Sequence, residues 1–172
     1  MKIVITGPES SGKTTLLNQI YNKWNFTVIP EYARTYIDKL NRPYAYNDIL
    51  EIAKGQIALE DNLNELNSKL LFSDTDLLTL QIWCEYKYNK CHTFIKKELF
   101  GRLPDLYLLC FPDIPWEFDP QRENPYDRLN LFNIYKRKIE ELNVDYVIIK
   151  GTMSERLKMI EQIIESSNLN KL

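Results

Sequence analysis

The run Gly7, Pro8, Glu9, Ser10, Ser11, Gly12, Lys13, Thr14 completes the pattern G-x-x-x-x-G-K-[ST], the residue types that wrap a chain around a polyphosphate. Its glycines let the backbone come close enough for successive N–H groups to point at phosphate oxygens. Lys13 can reach the β- and γ-phosphates, and the Thr14 hydroxyl can ligate Mg²⁺. With Thr15, this segment is the candidate ATP-binding loop, and the helix after it would add its positive dipole end. Asp74, which follows the apolar run Leu70 to Ser73, is the candidate acid on the metal side, holding a Mg²⁺-bound water. Asp76 reads either as a substrate-binding acid or as the N-cap of a helix beginning near Leu77. Glu31, just after Pro30, could take a proton from a substrate hydroxyl or fix a sugar hydroxyl. Arg34 could bind the transferring phosphate or pair with Glu31; the plainer alternative for the two is a surface ion pair at a helix start. Arg122 and Arg128 fall in a stretch carrying Pro112, Pro115, Pro120 and Pro125. From a closing lid their guanidinium groups could meet the charge that develops between donor and acceptor.

These groups are useful only on a scaffold that gathers loop ends. Ile3 to Thr6 reads as a strand ending at a glycine, and Thr14 to Trp24 as a helix with Leu16, Leu17, Ile20 and Tyr21 at helical spacing. Thr27 to Ile29 is a second strand. Tyr46 to Leu66 puts Ile49, Ile52, Ala53, Leu59, Leu63 and Leu66 on one stripe, with Asp48 and Glu51 in capping-box register. Leu70 to Ser73 is a central strand, and a helix is expected from beyond Asp76 to about Leu99, carrying Leu80, Trp83, Tyr86 and Tyr88. Leu106 to Phe111 is a strand, residues 112–128 an irregular functional loop, Leu129 to Leu142 a helix, Tyr146 to Ile149 a strand, and Ser154 to Ile164 the terminal helix. Parallel strands need crossover connections, so this alternation predicts an α/β protein, a three-layer sandwich with a parallel sheet of about five strands and a lid loop at 112–128. Its ligands should sit at the strand carboxyl ends.

The 172 residues have room for a single domain, 1–172, and 44% hydrophobic with 27% charged residues is a globular composition. A formal charge of -2 supplies no global basic field, which argues against a nucleic-acid partner. No run approaches the ~18 apolar residues of a membrane span, and a cytoplasmic protein is expected. Monomer and homo-oligomer are both left open. Cys84, Cys91 and Cys110 form no Cys-x-x-Cys pair and His92 is the sole histidine, an inventory that disfavours a structural zinc site and a His-dependent triad. A regulatory GTPase should show Asn-Lys-x-Asp; Asn22 to Asn25 and Asn89 to His92 both lack the aspartate.

Taken together, GPESSGKTTL, PEYAR, SDTDLLTLQIW, PDIPWEFDPQRENPYDR and GTMSER resemble the ribosylnicotinamide kinase domain of NadR-type NAD-salvage proteins, within the P-loop kinase superfamily. The resemblance runs from about Lys2 to Arg156. It implies a nucleoside/nucleotide-kinase-like fold and transfer of the ATP γ-phosphate to the 5′-hydroxyl of nicotinamide riboside, with ATP and Mg²⁺ as cofactors. It implies that Gly12, Lys13 and Thr14 bind triphosphate and metal, that Asp74 serves the metal, that Glu31 and Arg34 face the acceptor, and that Arg122 acts from the lid. Gly151 to Arg156 would seat the adenine, or else form a helix-capping loop with Ser154 as cap. The adenylyltransferase domain of full NadR proteins uses a His-rich motif that one histidine cannot supply, so only the kinase half is expected. The alternatives are a kinase of another nucleoside and a non-catalytic ATP-binding regulatory protein. Because nicotinamide riboside carries a permanent positive charge, its pocket should offer aromatic faces and acids. Tyr32, Trp83, Trp116 and Phe118 are the candidates, with Trp116 the expected stacking residue and Trp83 open to a plain core role.

Overall fold

The computed structural model describes residues 1–64 and 70–166. In chain order the elements are β1 (Lys2–Thr6), α1 (Lys13–Trp24), β2 (Thr27–Ile29), α2 (Tyr32–Asp38), α3 (Tyr46–Asn64), β3 (Leu71–Asp74), α4 (Leu77–Tyr88), α5 (Thr93–Gly101), β4 (Leu106–Cys110), α6 (Arg128–Glu141), β5 (Tyr146–Ile149) and α7 (Met153–Ser166). The five strands pair in parallel in the order β2-β3-β1-β4-β5.

Strand alternation sends Val4, Tyr107 and Leu109 into a core shared with α3, α4, α5 and α6. Ile3, Ile5, Phe72, Leu108 and Cys110 pack on the other face against α1 and α7. Both faces of β1 are therefore buried, and the result is the expected three-layer α/β sandwich. Because the sheet extends from β1 in both directions, the loops after β1, β3 and β4 leave a crevice at the strand carboxyl ends.

Several local expectations give way to capping chemistry. The long helix after Asp76 is two helices: Asn89 adopts φ 53°, its N–H closes α4 on Glu85 O, and α5 starts only at Thr93. Asparagine tolerates this left-handed conformation. Asp48 is not the residue that opens α3. It sits one turn inside, where its carboxylate accepts the Ala45 N–H at 2.6 Å, while Glu51 pairs on the surface with Lys54. The start of α7 is a Thr-x-x-Glu box made by Thr152 and Glu155, not a Ser154 cap. Helix α2, directly behind Pro30, is the helix start of the plainer alternative for Glu31 and Arg34, with Glu31 as its N-cap. Arg128 begins α6 rather than ending a loop. Leu66 of the expected α3 stripe lies outside the described residues. Among the described residues, no helix is long and apolar enough to cross a membrane.

Candidate active site

The loop between β1 and α1 has the backbone its sequence requires. Gly7 has φ 133°, and a Cβ there would come within 2.7 Å of Cys110 O; Gly12, at φ 82°, caps α1. Ser11 Oγ and Lys13 Nζ both donate to Pro8 O at 2.8 Å. Gly7 to Thr15 forms one end of a cavity of about 440 Å³.

One carboxylate, Glu31, lines this end, and a second, Asp74, stands behind Thr14. Thr14 Oγ1 donates to Asp74 Oδ2 at 2.6 Å, and Asp74 Oδ1 is buried with no hydrogen-bond partner. Burial pushes the Asp74 carboxyl above the usual range, against the pull of Lys13 and the Thr14 hydrogen bond. An orphaned buried oxygen beside a hydroxyl suits a hard cation with oxygen ligands. Among the described residues no cluster of three or more His, Cys, Asp or Glu could hold a metal, so a cation here would need phosphate oxygens and water to complete its shell. The buried charge also carries a stability consequence. A carboxyl with a raised folded pKa is penalised in its ionised form, so the penalty is absent below the unfolded pKa and fully present above the folded one. Without divalent ions, Asp74→Asn should therefore melt higher than wild type at pH 8, by roughly 3 °C for about 1 kcal/mol, with a smaller difference at pH 5. A variant less stable at both pH values would refute a penalised Asp74 charge.

Glu31, between β2 and α2, is half-buried, lines the cavity, and its carboxylate makes no hydrogen bond to another described residue. Burial pushes its carboxyl up and Asp74 adds to this, while Lys13 and Arg34 pull it down. Arg34 lines the cavity too, but its ion pair is with Asp119 at 3.0 Å, not with Glu31. Asp76 takes the capping alternative: Oδ1 accepts the Leu78 N–H at 3.0 Å and Oδ2 the Tyr107 hydroxyl at 2.6 Å, and burial pushes its carboxyl up to about 6. It is not a cavity wall. Nor is Tyr32, whose ring lies where a Gly55 side chain would stand and whose N–H donates to Gln56 Oε1.

The segment 111–127 lies across the phosphate loop. Glu9 Oε2 accepts the N–H groups of Glu123 and Asn124, each at 2.9 Å, and Ser10 Oγ accepts that of Glu117 at 3.0 Å. Its outer part reaches α2 and α4 through Gln121 to Asp38 and Glu123 to Lys87. Arg122 lines the cavity, with Nη1 at 3.4 Å from Ser10 Oγ and 2.6 Å from Glu117 O. Arg128 turns away from it, donating to Ser10 O and Ile114 O. Trp116 is not a pocket wall either, because the guanidinium carbons of Arg122 and Arg128 stand 6.0 and 5.8 Å from its ring centre. Arg122 of the lid and Arg128 at the start of α6 thus stand over the ring expected to stack on substrate, and Phe118 is 86% exposed.

The aromatic wall comes instead from Trp83 together with Tyr44, Tyr86 and Tyr135. Trp83 and Tyr44 meet edge to face at 4.8 Å, and Trp83 Nε1 donates to Tyr44 Oη at 3.0 Å. Burial raises the Tyr44 hydroxyl to about 12. Nothing in the sequence singles out Tyr44, Tyr135 or Glu123. Tyr44 sits in an undistinguished loop, and Tyr135 carries the spacing of a core residue.

Arg156 is 1% exposed and lies beneath the phosphate loop, donating to Ser11 O at 2.7 Å, Gly151 O at 3.0 Å and Phe111 O at 3.1 Å, with Asp113 as its carboxylate partner. From this corner it is Met153 that reaches the cavity.

With this geometry in view, the chain can be set beside known proteins. A family model described as AAA domain matches residues 2–156. The trifunctional NAD biosynthesis/regulator protein NadR of Escherichia coli (strain K12) is 31% identical over 156 residues, which is 86% of this chain and 38% of that protein. The chain thus spans well under half the length of this curated relative. A crystal structure of NadR in complex with NAD and AMP-PNP superposes with a TM-score of 0.74 at 21% identity over 95% of this chain and 48% of that one. A second, of NadR in complex with NR, gives 0.72 at 21% identity over 95% and 50%. These likenesses agree with the resemblance carried by the motifs and with the α/β fold. Since the family match runs from β1 to the arginine under the phosphate loop, the chain belongs to the AAA-domain family and has the P-loop fold.

Proposed function

We propose that this chain is a nucleoside kinase that uses Mg·ATP to phosphorylate nicotinamide riboside to nicotinamide mononucleotide, in the cytoplasm. The observation that carries this reading is one continuous cavity with a phosphate loop at one end, an aromatic wall at the other, and the unpartnered Glu31 carboxylate on its lining. The likeness to a nucleotide-bound and an NR-bound NadR supports the same pairing of donor and acceptor.

In this reading Thr14 and Asp74 hold the Mg²⁺, which neutralises phosphate charge when bound. Lys13 and the loop N–H groups hold the β- and γ-phosphates. Glu31 accepts the proton of the 5′-hydroxyl, and its raised pKa makes it a stronger base than a solvated glutamate. Arg122, which the lid brings beside Ser10, takes up charge on the transferring group. Trp83 and Tyr44 offer ring surfaces to a cationic base.

A coupled transfer assay with Mg·ATP against a panel of nucleosides tests this. Nicotinamide riboside should be the best acceptor and should outrun its neutral dihydro form. Equal use of the two forms, or uridine as the better substrate, would move the assignment to a general nucleoside kinase. Turnover of none would favour a non-catalytic ATP-binding role. Trp83→Leu should raise the KM for nicotinamide riboside by roughly two- to thirty-fold, the range of a cation–π contact. The KM for ATP should hold, and Trp116→Leu should leave the acceptor KM near wild type.

A further inference from the structure

Three carbonyl oxygens of the phosphate loop are engaged by cationic side chains. Pro8 O accepts from Lys13. Ser10 O accepts from Arg128 Nη1 at 3.1 Å, and Ser11 O from Arg156 Nη1 at 2.7 Å. In a trans peptide the carbonyl and the following N–H point in opposite directions. A guanidinium that holds the Ser10 carbonyl therefore turns the Ser11 N–H to the other side, and one that holds the Ser11 carbonyl does the same for the Gly12 N–H. The left-handed φ values of Ser10 at 52° and Gly12 at 82° give the curvature that lets neighbouring donors converge on an anion.

The arginines arrive from far along the chain, Arg128 as the first residue of α6 and Arg156 in the first turn of α7. Asp113 fixes the second of them. One of its carboxylate oxygens meets Arg156 Nη2 and the other accepts the Gly151 N–H. At 1% exposure, Arg156 could not lie against an adenine without abandoning three backbone acceptors and its counter-ion.

We propose that Arg128 and Arg156 are positioning residues that aim the Ser11 and Gly12 N–H groups at the donor phosphates, with Asp113 orienting Arg156. This rests on the reading of Gly7 to Thr15 as a polyphosphate site and deepens it: the loop's affinity for phosphate depends on two side chains that do not touch the nucleotide.

Tripolyphosphate, which has phosphates and no adenine, separates the possibilities when titrated calorimetrically beside ATP. Wild type that binds ATP but no tripolyphosphate would overturn the phosphate-loop reading itself. Given wild-type binding, Arg156→Lys keeps the charge but cannot span Ser11 O, Gly151 O and Phe111 O together. It should weaken tripolyphosphate and ATP by the same factor, about ten-fold for one charge-assisted hydrogen bond, with the acceptor KM unchanged. Arg128→Gln should do likewise through Ser10, and it carries the test alone if Arg156→Lys fails to fold. Weaker ATP with unaltered tripolyphosphate would mean that the arginine touches the nucleoside part. Unaltered binding of both would make the arginines merely structural. Either result overturns the proposal.

Discussion

Lys13→Ala should reduce phosphoryl transfer by about 10²- to 10³-fold or more, the loss typical of removing one preorganised electrostatic group from a transition state. Lys13 Nζ rests on Pro8 O in the mouth of the cavity, a position from which a short swing would carry it onto a polyphosphate. The fold should survive, because Lys13 contributes to neither hydrophobic core and alanine is a better helix former at the start of α1. The pH profile should move as well. The Lys13 charge lowers the pKa values of both Glu31 and Asp74, so without it the acid limb of the residual activity should shift to higher pH. Turnover with Mg·ATP, followed from pH 5 to 9 alongside thermal melting, checks all three statements. Wild-type turnover in a folded variant would remove the phosphate loop from the mechanism.

Glu31→Gln is the second large effect, on the order of 10²- to 10⁴-fold in kcat if Glu31 is the general base. A base acts when deprotonated, and burial together with Asp74 holds the Glu31 carboxyl above its ordinary 4.5. Wild-type kcat should therefore fall as pH drops through a value above the usual carboxylate range. That limb should vanish in the glutamine variant. Because Asp74 is also raised and repels Glu31, the limb belongs to the coupled pair. In Asp74→Asn it should persist but move to lower pH. A full acid limb in Glu31→Gln would assign the titration to Asp74 or to the substrate phosphates. The KM for nicotinamide riboside is a control, since the amide of the Glu31→Gln variant can still hydrogen-bond a sugar hydroxyl.

How far the sequence reaches is clearest at single residues. β2 and β5 fall where the apolar runs place them, the run Gly7 to Gly12 joins a strand to a helix, and Asp74 ends its strand beside Thr14. Those are local properties, set by turn chemistry and by which residues a buried strand can hold. The break at Asn89 is local too but masked, because the apolar spacing continues through it into α5. Trp116 illustrates the opposite case. Its Pro-rich surroundings correctly exclude a helix, but nothing in them says that one arginine of that loop and the first residue of α6 will cover its ring.

The full aromatic wall was out of reach for a related reason. Tyr44, Trp83 and Tyr135 come from a loop and two helices separated by tens of residues, and no periodicity encodes their meeting. Arg156 and Asp113 are 43 residues apart, and Arg156 and Ser11 145. What the sequence determined by itself was the residue types on offer, a G-x-x-x-x-G-K-[ST] loop and an acid after a buried run, and a parallel α/β scaffold, all dictated by short-range sterics and strand burial. Which acid faces the cavity, which aromatics form its wall, and which cations hold the loop's carbonyls were decided by tertiary packing. Those roles depend on the direction a side chain points after the sheet has brought remote loops together, and on which partner reaches it first.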